Sequence, residues 1–185
     1  MGEQDDFWVF GYGSLMWQPG FDHLEVRHAL LRGYHRAFCV YSHHYRGTPG
    51  RPGLVLGLDR GGACRGLAFR VAAENAADVT TYLDERELVG YAYLAKTVPV
   101  EAGEARVSAY TYVADPKHRY YAGKLGLERS AELIMNAEGL NGLNRDYLIN
   151  TLRKLESMGF VDKSLHALLV RIERMTGIID QGGGI

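Results

Sequence analysis

Apolar residues fall into two regimes along the chain, and the change between them sets the expected fold. In the first half they come in short runs closed by glycine and proline clusters, which is the mark of strands and turns. These runs are FWVF (7–10), LLRGYHRAFCVYS (30–42), GLVLGL (53–58) and CRGLAFRV (64–71), bounded by clusters such as GTPGRPG (47–53) and RGG (60–62). The stretch ENAADVTTYLDEREL (74–88) changes to a helical spacing, with Glu74 and Asn75 near its start and Gly90 past its end. Two β-branched and aromatic runs follow, YAYLAKTVPV (91–100) and RVSAYTYVA (106–114), joined by EAGEA as a hairpin. The last third reads as helices over 129–138, 143–158 and 163–175, broken at GLNG and MGF. Strands first and helices after predict an α+β fold, a mixed or antiparallel sheet or partial barrel with helices against it. No repeat, low-complexity tract or linker divides the chain, so residues 7–176 are expected to form one domain, with 1–6 and 177–185 as flexible termini.

The first strand ends abruptly. In WVFGYGSLMW (8–17) a buried-strand pattern breaks into Gly11-Tyr12-Gly13-Ser14 and turns apolar again with no polar loop between. Glycine tolerates φ > 0 and lets other atoms approach bare backbone, so such a bend either packs tightly or holds something. One reading is a tight turn with Ser14 capping a following helical turn. The other is a nest of backbone N–H groups at Tyr12, Gly13, Ser14 and Leu15, able to grip a carboxylate or a developing oxyanion. A phosphate cradle is disfavoured, because the third glycine of a dinucleotide loop and the Lys-Ser/Thr pair of a Walker loop are missing.

A carboxylate stands where the helical pattern wants an apolar residue. Val79 and Leu83 lie four apart in the 74–88 helix, with Ala76 and Tyr82 close to the same stripe, and Glu87 is the next member of that series. Asp84 and Glu85 are expected to point elsewhere and to be solvated. Burial and the negative end of the helix dipole would both raise the pKa of Glu87, as a general acid/base near neutral pH requires. The competing reading is an Arg86–Glu87 pair at a frayed helix end.

Composition removes several functions. With 21 Lys+Arg against 22 Asp+Glu and a formal charge of −1, there is no basic block for nucleic acid or an anionic membrane surface. The acidic N-terminus lacks the pattern of a signal peptide, and no window is apolar enough for a membrane span, so a cytoplasmic protein is expected. Cys39 and Cys64 have no CxxC spacing and no ligand partners at metal-binding spacing, and read as buried free thiols. There is no Gly-x-Ser-x-Gly elbow and no triad-like Cys or His. His43 and His44 are adjacent and would point to opposite faces, and His35, His118 and His166 are scattered. An enzyme built this way would not supply its own nucleophile.

Four segments together, VFGYGSLMW, YRGTPGRPGLVLGLDRGGACRGLAFRV, YLDERELVGY and NAEGLNGLNRDYLINTL, occur in order over nearly the whole of 7–175. This combination resembles the ChaC-type, glutathione-specific γ-glutamylcyclotransferases. The resemblance implies the γ-glutamylcyclotransferase-like fold, a small mixed β-barrel with flanking helices, and cleavage of glutathione to 5-oxoproline and Cys-Gly without a metal or other cofactor. It implies that Tyr12, Gly13, Ser14 and Leu15 hold the γ-glutamyl part of the substrate and that Glu87 is the acid/base. It also makes Tyr147, in NRDYL, and Arg46, in YRGTPG, candidate substrate-binding residues, and assigns no role to Tyr91. The alternatives are a cyclotransferase for other γ-glutamyl compounds and a non-catalytic regulator of cation transport.

Overall fold

The computed structural model describes residues 6–88, 90 and 92–177. Strands β1 (Phe7–Gly11), β2 (Glu25–Ser42), β3 (Gly53–Val71), β4 (Tyr93–Ala102) and β5 (Ala105–Ala114) close into a barrel in the order β1-β3-β2-β4-β5. β1 runs antiparallel to β3 and parallel to β5, so the barrel is mixed. The helices are α1 (Ser14–Trp17), α2 (Ala76–Glu87), α3 (Gly126–Asn136), α4 (Asn144–Ser157) and α5 (Lys163–Met175). A two-stranded hairpin of β6 (Glu138–Gly139) and β7 (Gly142–Leu143) lies between α3 and α4. The architecture is the expected α+β barrel. The flexible termini expected at 1–6 and 177–185 fall, apart from Asp6 and Gly177, outside the described residues.

Three sequence expectations change. β3 does not stop at Arg60-Gly61-Gly62; it runs through them as one strand of 19 residues. Gly61 and Gly62 adopt φ of 98° and 68°, a conformation that bends a strand without ending its ladder, as closing a barrel requires. β2 likewise begins at Glu25 rather than at residue 30. The helix expected from residue 74 starts at Ala76, after a 3₁₀ turn over Ala73–Asn75.

The chain divides into two compact units. The first contains the described residues up to Arg36 together with Gly57–Tyr121; the second contains Ala37–Leu56 and the described residues from Ala122 onward. In the first, β4 and β5 pair over their whole length, from Tyr93 opposite Ala114 to Ala102 opposite Ala105, across a two-residue turn. Val98, Val100 and Ala102 are buried while Thr97, Pro99 and Glu101 face water, the period-2 alternation of a half-buried strand.

In the second unit the helical period is clean. Leu148, Leu152 and Leu155 of α4 and Leu165, Leu168 and Ile172 of α5 are buried at i, i+3/i+4 spacing. Asp162 caps α5, its carboxylate accepting the Leu165 N–H at 3.1 Å. Asn144, fully buried, uses its amide as a strand would: Nδ2 donates to Leu54 O and Oδ1 accepts the Leu54 N–H, each at 2.8 Å. Asn144→Ala strands both backbone groups, and a buried unpaired group costs about 1–3 kcal/mol. We expect Asn144→Ala to lower the thermal midpoint by several degrees and Asn144→Asp, which keeps the acceptor but sets a buried carboxylate against Leu54 O, by at least as much; unchanged unfolding of the alanine variant would show that this pairing does not contribute to stability.

Candidate active site

Strand β1 delivers the glycine turn. Trp8, Val9 and Phe10 are almost completely buried, so β1 is fixed as a central strand up to Gly11. The turn is tight because of packing rather than left-handed backbone: neither Gly11 nor Gly13 is among the glycines at positive φ, contrary to one of the two uses of glycine weighed from sequence. A Cβ on Gly11 would stand 3.2 Å from Leu15 Cβ and 3.3 Å from the Phe69 ring. One on Gly66, in the neighbouring β3, would collide with Gly11 O. Bare backbone is therefore needed on both sides of this corner.

Beyond the turn, the four residues of α1 coil back, with Met16 N–H bonded to Gly13 O at 2.9 Å and Gln18 N–H to Ser14 O at 2.8 Å. Tyr12, Gly13 and Leu15 are buried and Ser14 is exposed. Ser14 does not cap the helical turn with its side chain. Its hydroxyl instead accepts a bond from Arg86 Nη2 at 3.0 Å.

Arg86 joins the turn to the end of α2. Besides Ser14, its guanidinium donates through Nη1 to Gln18 O at 2.7 Å and to Pro19 O at 3.3 Å, and its Nε lies 3.3 Å from Glu87 Oε1. The Arg86–Glu87 pair anticipated at a frayed helix end is real, but its side chains are only 22% and 19% exposed, which is not a solvated surface pair. Glu87 closes the series begun by Val79 and Leu83, which are buried as expected. Burial pushes its carboxyl above the ordinary value of 4.5, against the lowering pull of Arg86.

The two flanks of that helical stripe differ from the pattern the wheel predicts. Tyr82, expected near the core, is 37% exposed. Asp84, expected in solvent, is half-buried and accepts hydrogen bonds from the hydroxyls of Tyr110 and Tyr112. The buried stripe of α2 is thus turned away from Tyr82 and toward Glu87 and Asp84. Glu85 is exposed as expected.

Arg46 and Tyr147 come together in the second unit. The Arg46 guanidinium lies 5.4 Å from the centre of the Tyr147 ring, and Phe38 meets that ring edge-on at 5.7 Å. Arg46 also donates to Asn141 O at 2.6 Å and Leu143 O at 3.3 Å, pinning the β6–β7 hairpin. The Tyr147 hydroxyl accepts the Leu56 N–H at 3.4 Å. Tyr91 lies outside the described residues. Cys39 and Cys64 are buried and form no disulfide, and among the described residues no three His, Cys, Asp or Glu side chains gather to hold a metal ion. No helix among the described residues is long and apolar enough to cross a membrane.

A family model described as ChaC-like protein matches residues 7–175. The chain belongs to the ChaC-like family. A glutathione-specific γ-glutamylcyclotransferase of Escherichia coli is 34% identical to this ChaC-like chain over 174 residues, covering 94% of it and 75% of the relative. The Schizosaccharomyces pombe protein of that name is 32% identical, with 94% of each chain covered. A human relative, glutathione-specific γ-glutamylcyclotransferase 1, is 35% identical over 80% of this chain and 69% of its own length. The fold is also that of a yeast glutathione-specific γ-glutamyl cyclotransferase crystal structure, with a TM-score of 0.81 at 22% identity, covering 91% of this chain and 96% of that one.

One residue of the ChaC-like turn escaped the sequence reading altogether. Arg36, on β2 and only 6% exposed, donates through Nε to Tyr12 O at 2.6 Å and through Nη2 to Arg65 O at 2.8 Å. The only sequence signal was a charged residue inside the apolar run 30–42, which is equally the mark of an outward-facing position on a half-buried strand.

Proposed function

We propose that this chain cleaves glutathione by γ-glutamyl cyclotransfer, with Glu87 moving the proton and the Tyr12–Leu15 backbone holding the γ-glutamyl group. The observation that carries this reading is the Arg86 guanidinium, which contacts both the Glu87 carboxylate and the Ser14 hydroxyl and so ties a buried acid to the glycine turn. Relatives named as glutathione-specific over most of their length support the choice of substrate.

The substrate brings its own nucleophile. The α-amine of the γ-glutamyl group attacks the γ-carbonyl carbon, a C–N bond forms to close the five-membered lactam, and the amide C–N bond to cysteine breaks. The products are 5-oxoproline and Cys-Gly, with no water consumed. Because attack is intramolecular, holding the substrate bent can supply up to several kcal/mol of the barrier, about 7–11 for well-oriented groups. Glu87 takes a proton from the α-ammonium, whose pKa is about 8, and returns one to the leaving nitrogen; a carboxyl raised by burial is better matched to both transfers than an ordinary one. Turn amides facing the tetrahedral oxyanion contribute roughly 3 kcal/mol per well-placed donor. Arg46 and Tyr147 stay in the proposal as candidate substrate-binding residues on the strength of their motifs, Arg46 stacking on the ring that it would steady. We place the activity in the cytoplasm, in keeping with two buried cysteines that form no disulfide.

The test is to incubate the purified protein with glutathione and follow 5-oxoproline and Cys-Gly, which should appear in equal amounts. A parallel panel of γ-glutamyl amino acids and γ-glutamylamines should give little lactam. Lactam from the panel but not from glutathione would reassign the substrate, and none from any γ-glutamyl compound would remove the catalytic reading.

A further inference from the structure

Asp84 stands three residues before Glu87 on α2, so the two side chains emerge from neighbouring positions on the helix surface. Its Oδ1 accepts two hydrogen bonds at once, from Tyr110 Oη and Tyr112 Oη, each at 2.7 Å. Those tyrosines are two apart on β5 and share one face of the strand. Their rings meet edge to face, 5.5 Å between centres at 82°. Tyr112 is almost completely buried. One carboxylate oxygen held by two rigid aromatic arms is triangulated, and charge-assisted O–H···O⁻ bonds are about twice as strong as neutral ones.

What this holds in place matters for the reaction. β5 pairs directly with β1, Trp8 opposite Ala109 and Val9 opposite Tyr110, and Thr111 Oγ1 donates to Phe10 O at 2.9 Å. β1 in turn leads straight into the glycine turn. A continuous path therefore runs from the turn through β1, β5 and the two tyrosines to Asp84 and the last turn of α2. Glu87 is the final residue of its helix, where ends fray, and this path adds a second anchor to the Arg86 contacts with the turn.

We propose that Asp84, Tyr110 and Tyr112 are positioning residues: a clamp that touches no substrate but fixes where Glu87 stands relative to the Tyr12–Leu15 backbone. This rests on the reading of Glu87 as acid/base. Burial and the bond to Asp84 push the Tyr110 hydroxyl up to about 12, and Tyr112 higher still, so both remain donors across the working pH range. The clamp acts by geometry, so an acceptor of the same shape should replace Asp84 whether or not it is charged.

The experiment measures kcat and KM for glutathione, with thermal midpoints, for the wild-type protein and for Asp84→Ala, Asp84→Asn, Tyr110→Phe, Tyr112→Phe, the double Tyr→Phe variant and Glu87→Gln. Misplacing a catalytic group by about an ångström can lower a rate roughly 100-fold. We expect Asp84→Ala and the double Tyr→Phe variant to lose about 10- to 100-fold in kcat, with KM within about twofold of wild type. Asp84→Asn, whose amide oxygen still accepts both hydroxyls, should recover most of kcat. The single Tyr→Phe changes are nearly isosteric and keep the comparison available if Asp84→Ala does not fold. Wild-type kcat in the clamp variants beside an inactive Glu87→Gln, even with lowered midpoints, would make the cluster merely structural. Asp84→Asn as poor as Asp84→Ala would make charge, not position, its contribution. A fully active Glu87→Gln overturns the acid/base reading and the clamp with it.

Discussion

Glu87→Gln is expected to abolish lactam release, lowering kcat by about 10³-fold while leaving the fold and glutathione binding intact, because positioned acid/base groups contribute roughly 10²–10⁴-fold. The substitution keeps shape and removes the ability to take up and return a proton. Its neighbour gives the control. Glu85 is exposed and touches neither Arg86 nor the turn in any described bond, so Glu85→Gln should turn over normally. The pH dependence has a definite sign. Burial makes the folded chain hold the Glu87 proton more tightly than an unfolded chain, for which the value is 4.5. Stability from this group is complete below that value and is lost as pH rises through the higher folded pKa. Glutamine does not titrate, so Glu87→Gln should unfold at a temperature close to wild type near pH ~4 and at a higher one near pH ~7. As a base, Glu87 must be ionised, so wild-type kcat/KM should climb with pH through the same raised pKa, a limb the variant's residual rate lacks. Equal losses at positions 85 and 87, or a variant less stable than wild type at neutral pH, would contradict this assignment.

The part of this site that lies along one helix was legible in the sequence, and the part that depends on other strands was not. Val79, Leu83 and Glu87 follow from a period of 3.6 residues, which a single segment displays by itself. A wheel gives the angles between side chains but not which edge of the stripe has partners waiting. Tyr82 and Asp84 were therefore exchanged, since the hydroxyls that capture Asp84 come from residues 26 and 28 positions away. Arg36 was hidden by the same distance, 24 positions from the carbonyl that it holds. In the barrel, the strand pattern survived but its punctuation misled: Gly61 and Gly62 mark a bend in β3, and local sequence does not separate a bend from a turn. At Gly11 the glycine signal was right about close approach and wrong about positive φ, two uses of one residue that only the packing of Leu15 and Phe69 distinguishes.

Removing Arg36 should also cost turnover heavily, though less than removing Glu87, for a reason that runs through a single peptide plane. The Tyr12 carbonyl and the Gly13 N–H belong to one peptide unit, and no cis bond occurs among the described residues, so the two groups point in opposite directions. With the carbonyl held by Arg36 at 2.6 Å, the Gly13 N–H faces away from the cation, and the charge-assisted bond polarises it into a stronger donor. Arg36 thus sets both the direction and the strength of an amide that the proposed mechanism aims at a carboxylate or an oxyanion. Arg36→Met preserves the apolar stem and strips this away, leaving the carbonyls of Tyr12 and Arg65 without the bonds that the guanidinium gave them. At about 1–3 kcal/mol for the buried Tyr12 carbonyl left short of this partner, the variant should unfold at a lower temperature by several degrees. Its kcat should fall by about 100-fold, the scale of losing one oriented oxyanion donor. Arg36→Lys separates the two effects: an ammonium keeps the charge but, as a point donor, does not match the fork between two carbonyls. It should therefore recover stability further than it recovers kcat. Turnover that tracks stability across both variants would reduce Arg36 to a packing residue, whereas a rate still depressed in a lysine variant as stable as wild type would tie it to the amide it turns outward.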